Sequence, residues 1–358
     1  MFAVVMCGGS GTRFWPASRK QRPKQFLDIT GKGPMIVETC GRLRPIIRDE
    51  EMVLILGKKH LAEARQIFDG REISMLAEPV GRNTAPCIGL GAIYARYRNY
   101  NGPVAFLPAD HFIGDPGAFL KSLQTGGDVA ETGGIATIGI VPNRPETGYG
   151  YIKRGEPDGK SEDRQIFSVS QFVEKPDLET AVAYLASGDY YWNGGIFVAT
   201  PETILKETKR QLPELYAGLL ELEKVFGTDD FEPAFQEVYE NLASVSFDYG
   251  IMENIQEPVY VIPSQCGWSD VGSWESLYEL RSSEQDNDGN LGDGGNIFID
   301  CEGTFASGRS GRMIACLGLK NCLVVDTEDS LLVADLKNSQ DIRKVVDLLK
   351  ETGRDDLL

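Results

Sequence analysis

A short apolar strand that runs directly into a glycine-rich turn is the feature that most constrains this chain. Residues Phe2 to Met6 are apolar and are typical of a strand buried on both faces. The turn Gly8-Gly9-Ser10-Gly11 follows, and its glycines permit positive φ angles and a close approach of the backbone to a ligand. Consecutive N–H groups in such a turn form an anion-binding nest. The cations that precede the first carboxylate, Asp28, are Arg13, Arg19, Lys20, Arg22 and Lys24. In a chain of net charge −17, this local positive charge predicts a phosphate site.

Two common glycine motifs do not fit the turn. A Walker A loop requires four residues between its first glycine and Gly-Lys-Ser/Thr, whereas Gly-Thr-Arg follows here too early. The dinucleotide motif G-x-G-x-x-G is matched at Gly9 and Gly11 but has Phe14 in place of the third glycine. A glycine-rich turn after a strand is, by itself, equally compatible with an ordinary tight turn.

The longer segments around this turn are more specific. Residues 8–16 read GGSGTRFWP and residues 23–27 read PKQFL. Together they resemble the signature of the sugar-1-phosphate nucleotidylyltransferases, and the Lys-Gln-Phe ending resembles the mannose-1-phosphate guanylyltransferase branch. The resemblance covers about residues 1–280 and implies that Arg13 and Lys24 act on the phosphates of a nucleotide. It also implies that the loop binds this nucleotide through Gly8, Gly9, Ser10, Gly11 and Thr12.

Composition sets the broad class of the protein. A length of 358 residues predicts about two domains. The net charge of −17 argues against a general nucleic-acid binder, and no apolar run is long enough to predict a membrane span. The N-terminus does not resemble a signal peptide. The cysteines are scattered without a C-x-x-C pair, so we expect neither a zinc site nor a disulfide framework, and we expect a cytoplasmic location.

Short apolar runs alternate with helical stretches in the first half of the chain. Residues 52–56, 73–77 and 104–107 are predicted strands, and residues 84–97 and 116–131 are predicted helices. We therefore predict an α/β, Rossmann-like (GT-A-like) fold with a mixed, mainly parallel sheet and helices on both faces. Ligands bind such sheets at the carboxyl ends of strands. A catalytic domain over 1–284 is expected to precede a small β-helix-like domain over 285–358 with a closing helix, which leaves no room for the isomerase domain of some relatives.

The segment from Glu78 to Pro86 follows the third predicted strand. Asn83 or Thr84 could simply cap the next helix. Glu-Pro-x-x-Arg-Asn-Thr-Ala-Pro, however, resembles the base-recognition segment of the guanylyltransferases. The resemblance implies that Glu78, Asn83 and Thr84 bind the nucleobase.

Two aspartates are candidates for a metal site. Asp110 follows a buried strand, where a place in the core would be unfavourable because an unpaired buried charge is costly. Asp270 lies in a Trp-x-Asp-x-Gly-x-Trp segment that the family shares. Either residue could instead be a helix cap or a loop acid. The resemblance implies that Asp110 and Asp270 hold Mg²⁺ or another divalent cation, which in proteins takes one or two carboxylates together with phosphates.

Three further segments resemble the sugar-phosphate site of the family. They contain Gly148 and Tyr149, then Glu174 and Lys175 before Pro176, and finally Asn193 in a loop that enters a strand. From the residues alone, these are a bulge, a charge pair on alternating faces of a strand end, and an Asn-Gly turn. The segment Phe247–Glu253 also resembles a segment of the family, although its acids could simply be surface charges.

The resemblance implies transfer of GMP from GTP to mannose 1-phosphate, which gives GDP-mannose and pyrophosphate, by a homodimer. One alternative is another hexose 1-phosphate or nucleotide, for example glucose 1-phosphate with UTP, dTTP or ATP. The other is a non-catalytic regulatory subunit that binds sugar nucleotides. Such a subunit is expected to have lost Lys24, Asp110 or Asp270, and the chain has all three.

Overall fold

The computed structural model describes residues 1–9, 11–158, 165–293 and 295–358. These residues form two compact units. Unit 1 contains Met1–Gly8, Thr39–Ala109 and Ile113–Trp268, and unit 2 contains Gly9–Glu38, Asp110–Phe112 and Ser269–Leu358. Unit 2 therefore combines the C-terminal segment with the glycine loop and with Asp110, so the compact units do not follow the linear division at residue 284.

In chain order the strands are β1 (Phe2–Cys7), β2 (Met52–Gly57), β3 (Ser74–Glu78), β4 (Val104–Pro108), β5 (Phe112–Ile113), β6 (Ile135–Ile140), β7 (Tyr151–Pro157), β8 (Phe167–Val173), β9 (Tyr190–Ala199), β10 (Val259–Ser264), β11 (Trp268–Ser269), β12 (Leu291–Gly292), β13 (Ile297–Ile299), β14 (Phe305–Gly308), β15 (Ala315–Leu317), β16 (Cys322–Asp326) and β17 (Leu331–Asp335). The α-helices are α1 (Met35–Leu43), α2 (Leu61–Ile67), α3 (Thr84–Tyr97), α4 (Pro116–Glu131), α5 (Leu178–Ser187), α6 (Pro201–Gln211), α7 (Pro213–Val225), α8 (Phe231–Asn241), α9 (Phe247–Gly250), α10 (Trp274–Leu280) and α11 (Ile342–Glu351).

Unit 1 is built on a nine-stranded sheet in the order β3-β2-β1-β4-β9-β6-β10-β8-β7. The strands β3, β2, β1 and β4 are parallel, as predicted. Beyond β4 the pairings are antiparallel except for β6 with β10. β9 pairs antiparallel with β4, β6 and β7, and β8 pairs antiparallel with β7 and β10. The mixed α/β sheet is confirmed, but its parallel character is concentrated in the first half of the chain.

Helices cover both faces of this sheet. Consecutive residues of a strand point to opposite faces. On β9, Phe197 belongs to the apolar cluster that contains Leu90 of α3, whereas the neighbouring Val198 contacts Gly126 of α4. This arrangement leaves the carboxyl ends of the strands to the connecting loops. Among the described residues, no helix is both long and apolar enough to cross a bilayer.

Unit 2 contains two small sheets that confirm the β-helix-like prediction. β12, β14 and β16 are parallel, β17 pairs antiparallel with β16, and β13 pairs in parallel with β15. One face of the larger sheet packs in an apolar cluster with Trp274, Phe14 and Trp15. The opposite face packs against Phe298 and Cys316 of the smaller sheet. The short 3-10 turns Thr12–Phe14 and Lys24–Phe26 also belong to this unit.

Candidate active site

The glycine loop is shaped by its contact with Lys24. Gly11 has φ 58°, and a Cβ atom there would lie 2.8 Å from the backbone N of Lys24 and 2.8 Å from its Cβ. Only glycine therefore allows residues 11 and 24 to approach this closely. Gly9 also has positive φ, at 91°, but faces open space. Ser10 lies outside the described residues.

Lys24 connects the two predicted metal ligands. Its buried ammonium group lies 2.9 Å from Oδ2 of Asp110 and donates a hydrogen bond of 2.5 Å to the backbone carbonyl of Asp270. The three residues come from widely separated parts of the sequence, and the structure brings them together in unit 2. The Asp270 carboxylate lies over Gly272, where a Cβ atom would be 2.8 Å from Oδ2.

A cleft of about 430 Å³ lies beside these groups, entirely within unit 2. Its lining residues are Gly11, Thr12, Arg13, Phe14, Lys24, Asp110, His111, Asp270, Gly272, Arg343 and Lys350. The cleft thus combines backbone amides, cations and two carboxylates, which is the composition expected of a site for a phosphate with a divalent cation.

Asp110 stays ionised in this environment. Burial raises the pKa of its carboxyl. The charges of Lys24 and His111, together with the hydrogen bond from Lys24, lower that pKa by more than burial raises it, so the pKa lies below the ordinary value of 3.8. Neither predicted metal ligand is a helix cap, since Asp115 caps α4 and Ser273 caps α10.

Part of the basic segment serves the structure rather than the cleft. Arg19 pairs with Asp329 at 2.6 Å, and Lys20 pairs with Asp355 at 3.1 Å. Arg19 and Lys20 are not among the residues that line the cleft, and their side chains point to carboxylates of the C-terminal segment.

Glu78 occupies a very different environment in unit 1. It ends β3 with only 7 % of its surface exposed, and no described residue provides a hydrogen-bond partner for its Oε1. Burial raises the pKa of Glu78 to about 7, against a smaller lowering by a hydrogen bond from Tyr239. A buried carboxyl with an unused oxygen is a group that can accept a hydrogen bond from a ligand.

Asn83 and Thr84 are engaged in the local structure. Asn83 has φ 68° and its Oδ1 accepts a hydrogen bond from the Thr84 N–H at 2.8 Å, so it caps α3. The Thr84 hydroxyl accepts from the Phe247 N–H at 2.8 Å. The guanidinium of Arg82 donates to the Tyr239 and Glu240 carbonyls. The cap interpretation of this turn is therefore realised, and a nucleobase role of Asn83 and Thr84 stays a prediction.

The predicted sugar-site residues form a second cluster in unit 1. Asn193 donates from Nδ2 to Oδ1 of Asp248 at 2.6 Å and accepts from the Gly195 N–H at 3.0 Å. Asn193 lies within β9 rather than in a loop, because an irregular register opposite β6 accommodates the Asn-Gly-Gly sequence without ending the strand. Asp248 thus supports Asn193, so the surface-charge alternative does not hold for this residue.

Glu174 and Lys175 face each other rather than alternating. β8 ends at Val173 and Lys175 has φ 47°, so the extended geometry that separates consecutive side chains is lost there. As a result, Lys175 Nζ pairs with Glu174 Oε1 at 2.7 Å.

Gly148 and Tyr149 form the turn that precedes β7. The Gly148 N–H donates to Glu146 Oε1 at 3.0 Å. The Tyr149 ring packs edge-on against Trp192 and Trp268, with centroids 5.2 and 5.3 Å away. These contacts place an aromatic surface beside the loop.

Comparison with known proteins then decides the family. Residues 2–287 match the nucleotidyl transferase family, and residues 294–349 match the mannose-phosphate isomerase/GMP-like beta-helix domain. Mannose-1-phosphate guanylyltransferase of Escherichia coli is 40% identical over 99% of this chain and 74% of its own length. The chain belongs to the mannose-1-phosphate guanylyltransferase family.

Other family relatives agree. The xanthan biosynthesis protein XanB of Xanthomonas campestris is 40% identical over 98% of this chain and 73% of its own length. A crystal structure described as mannose-1-phosphate geranyltransferase from Thermus thermophilus superposes with a TM-score of 0.88 at 34% identity, covering 98% of this chain and 99% of that one. The fold of this family member is therefore the fold of its relatives.

The sequence missed several residues around these clusters. Asp248 and the buried Nε1 of Trp192, which has no hydrogen-bond partner within the described ranges, were not predicted to take part in a site. Arg343 and Lys350 line the cleft although they lie in the closing helix. Their only signal in the sequence is their spacing on one helical face, which by itself does not reveal what that face meets.

Proposed function

We propose that this family member transfers GMP from GTP to mannose 1-phosphate, giving GDP-mannose and pyrophosphate, in the cleft of unit 2. The observation that carries the proposal is the convergence of the glycine loop, Lys24, Asp110 and Asp270 on one cleft. Relatives that match nearly the whole chain bear the name of this activity.

The reaction needs no dedicated general base. A phosphate monoester is largely dianionic at neutral pH, so an oxygen of mannose 1-phosphate can attack the α-phosphorus directly. The new O–P bond forms as the bond from the α-phosphorus to the bridging oxygen breaks, and pyrophosphate leaves with that electron pair. Catalysis then consists of in-line positioning and stabilisation of the developing charge.

The chain's own groups supply both effects. Amides of Gly9 and Gly11, with Arg13, hold the triphosphate, and Lys24 neutralises the α-phosphate. Because Lys24 is held by Asp110 and by the Asp270 carbonyl, its ammonium group is fixed before the nucleotide arrives. Such preorganised charge is effective because it does not reorganise during the reaction.

The carboxylates of this cleft fit a divalent cation. Both line the cleft, and the low pKa of Asp110 keeps it in the ionised form that a hard cation requires. Within the described ranges, no group of three or more His, Cys, Asp or Glu side chains is placed to hold a metal. Asp110 and Asp270 would therefore hold Mg²⁺ with phosphate oxygens and water as the other ligands. When bound, the ion supplies neutralisation of phosphate charge.

In unit 1, we assign the nucleobase to Glu78, Asn83 and Thr84, and the sugar phosphate to the second cluster. The unused Oε1 of Glu78 suits an N–H donor of guanine. In the second cluster, Gly148, Tyr149, Glu174, Lys175 and Asn193 offer an aromatic surface, a carboxylate, an ammonium group and an amide, which suit sugar hydroxyls and a phosphate.

Pyrophosphate release measured for GTP, ATP, UTP and dTTP, each with mannose 1-phosphate and with glucose 1-phosphate, tests the proposal. We expect the highest kcat/KM for GTP with mannose 1-phosphate. A higher kcat/KM for another pair would assign that pair as the substrates. If no pair releases pyrophosphate, the function left is that of a regulatory subunit that binds sugar nucleotides.

We also propose a cytoplasmic homodimer. The seven cysteines are free thiols, in keeping with a reducing compartment. Ile297, Ile299 and Leu317 are exposed on the outer face of the β13–β15 sheet, and an apolar patch of this kind favours a protein contact. Sedimentation equilibrium should give twice the monomer mass, and a Leu317→Asp variant should give the monomer. A monomeric wild-type protein at micromolar concentration would rule out the dimer.

A further inference from the structure

The C-terminal helix α11 is fixed next to the glycine loop. Its apolar face, with Ile342 and Val346 buried, belongs to the same cluster of unit 2 as Phe14 and Trp15. The chain beyond the helix is also anchored, since Trp15 Nε1 donates to the Leu357 carbonyl at 2.9 Å. The 3-10 turn that contains Arg13 therefore has α11 as its neighbour.

The polar face of α11 carries two cations that share one carboxylate. Arg343, Asp347 and Lys350 have the spacing i, i+4, i+7, which places them in one stripe of a helix. Lys350 Nζ lies 2.8 Å from Asp347 Oδ1, and Arg343 Nε lies 3.8 Å from Asp347 Oδ2. Two positive charges face one negative charge, so the stripe keeps a net charge of about +1. Pairs this exposed contribute little free energy and can be exchanged for an anion.

Arg343 and Lys350 line the same cleft as Arg13, Lys24, Asp110 and Asp270. Lys24 is already paired with Asp110 and bonded to the Asp270 carbonyl. The arginine and lysine side chains that line the cleft outside this pair are Arg13 on the loop side and Arg343 and Lys350 on the helix side. The chain has a net charge of −17, so three such cations around one cleft form a local positive region that favours binding of a highly charged anion.

We propose that Arg343 and Lys350 bind the β- and γ-phosphates of the nucleoside triphosphate, the part that leaves as pyrophosphate. This inference rests on the proposed function, which supplies the nucleotide. A guanidinium group binds phosphate oxygens in a bidentate manner, and an ammonium group adds a point charge. Negative charge grows on the leaving group as its bond to the α-phosphorus breaks, and cations at that position stabilise it. The C-terminal segment thereby contributes directly to the reaction.

Inorganic pyrophosphate is the direct probe, because its binding does not require turnover. The test is its dissociation constant, from titration calorimetry in the presence of Mg²⁺, for the wild type, Arg343→Ala, Lys350→Ala and the double variant of the full chain. From the usual strength of charged hydrogen bonds, each single change should weaken binding about tenfold and the double change more. Lys344→Ala is the matched control, since Lys344 is exposed on the same helix, pairs with Asp341 and is not among the residues lining the cleft. It should bind as the wild type does.

Two further variants separate binding from structural effects. Asp347→Ala releases both cations and removes a repulsive carboxylate, so it should tighten pyrophosphate binding by a few fold. Lys350→Arg keeps the charge and should retain most of the affinity lost in Lys350→Ala. A double variant that binds pyrophosphate like the wild type while circular dichroism shows the same fold would overturn the inference.

Kinetics then distinguish this inference from the proposed function. In active protein, the double variant should raise the KM for GTP about tenfold or more and leave the KM for mannose 1-phosphate unchanged. If the wild type releases no pyrophosphate from any nucleotide, but the double variant binds pyrophosphate more weakly than the wild type does, the proposed function fails and the anion site stands. If the wild type is active and the double variant keeps the wild-type KM for GTP, the anion site fails and the function stands.

Discussion

Asp110 and Glu78 both follow or end a strand of one sheet, yet their environments shift the pKa values of their carboxyl groups in opposite directions. Asp110 follows β4 and has the Lys24 ammonium group 2.9 Å away, so its pKa lies below the ordinary value. Glu78 ends β3, where no cation among the described residues offsets its burial, and its pKa rises to about 7. The comparison shows that position in the sheet does not decide the charge of a carboxyl, whereas a neighbouring cation does. The first residue suits a cation, and the second suits a hydrogen-bond donor.

Removing Lys24 should make Asp110 resemble Glu78, and this is the largest effect we expect. In Lys24→Met the pKa of Asp110 should rise because burial remains and the neighbouring cation is lost. Turnover should fall about a thousandfold or more, since the α-phosphate also loses its cation. The assay is kcat for pyrophosphate release at saturating GTP and mannose 1-phosphate. Lys20→Met is the control, because Lys20 is exposed and pairs with Asp355 at 3.1 Å. Equal kcat values for the two variants would contradict the role of Lys24.

The pH dependence of the free energy of unfolding tests the raised pKa of Glu78. Glu78 has an ordinary pKa of 4.5 when unfolded and about 7 when folded, so the folded state binds the extra proton between these pH values. Its contribution to stability is therefore full below pH 4.5 and is lost as pH rises through 7, by on the order of 3 kcal/mol. The free energy of unfolding of the wild type, relative to Glu78→Gln, should fall over this range. Urea denaturation at half-unit pH steps measures the free energy of unfolding of both proteins. If the difference between them stays constant from pH 4.5 to 7.5, the pKa of Glu78 is not raised in the folded protein.

The second cluster of unit 1 should give the smallest effect. Asp248→Asn weakens the hydrogen bond that orients Asn193, so the KM for mannose 1-phosphate should rise about fivefold while the KM for GTP stays the same. Initial rates at varied concentrations of each substrate measure both constants. Glu253→Gln, an exposed acid of the same segment, should leave both unchanged. A rise in the KM for GTP alone would indicate that Asp248 belongs to the nucleotide site instead.

Much of the fold was predictable because local patterns decide it. The helices 84–97 and 116–131 have the predicted bounds, since each begins directly after a capping residue, Asn83 or Asp115. The antiparallel part of the sheet was not predictable, because β9 crosses an Asn-Gly-Gly sequence that ordinarily ends a strand. Local patterns do not encode which distant strand accommodates such an irregularity.

For the site, the sequence indicated which residues carry chemistry but not what they contact. Lys24 and Asp110 were both predicted, but their ion pair depends on how the 3-10 turn of Lys24 packs on Gly11. Asp248 and Arg343 were missed because their importance comes from tertiary neighbours, Asn193 in one case and the glycine loop in the other. Charge patterns give candidate groups, and packing decides which of them meet.

The kcat of Asp270→Asn tests the central claim most directly. Lys24 is held by the backbone carbonyl of Asp270, so this substitution removes a carboxylate from the cleft and leaves that hydrogen bond in place. At saturating Mg²⁺, GTP and mannose 1-phosphate, we predict that kcat falls at least about a hundredfold while the melting temperature stays within a few degrees of the wild-type value. A kcat close to that of the wild type would contradict the account of this cleft as the place where the divalent cation and the nucleotide meet.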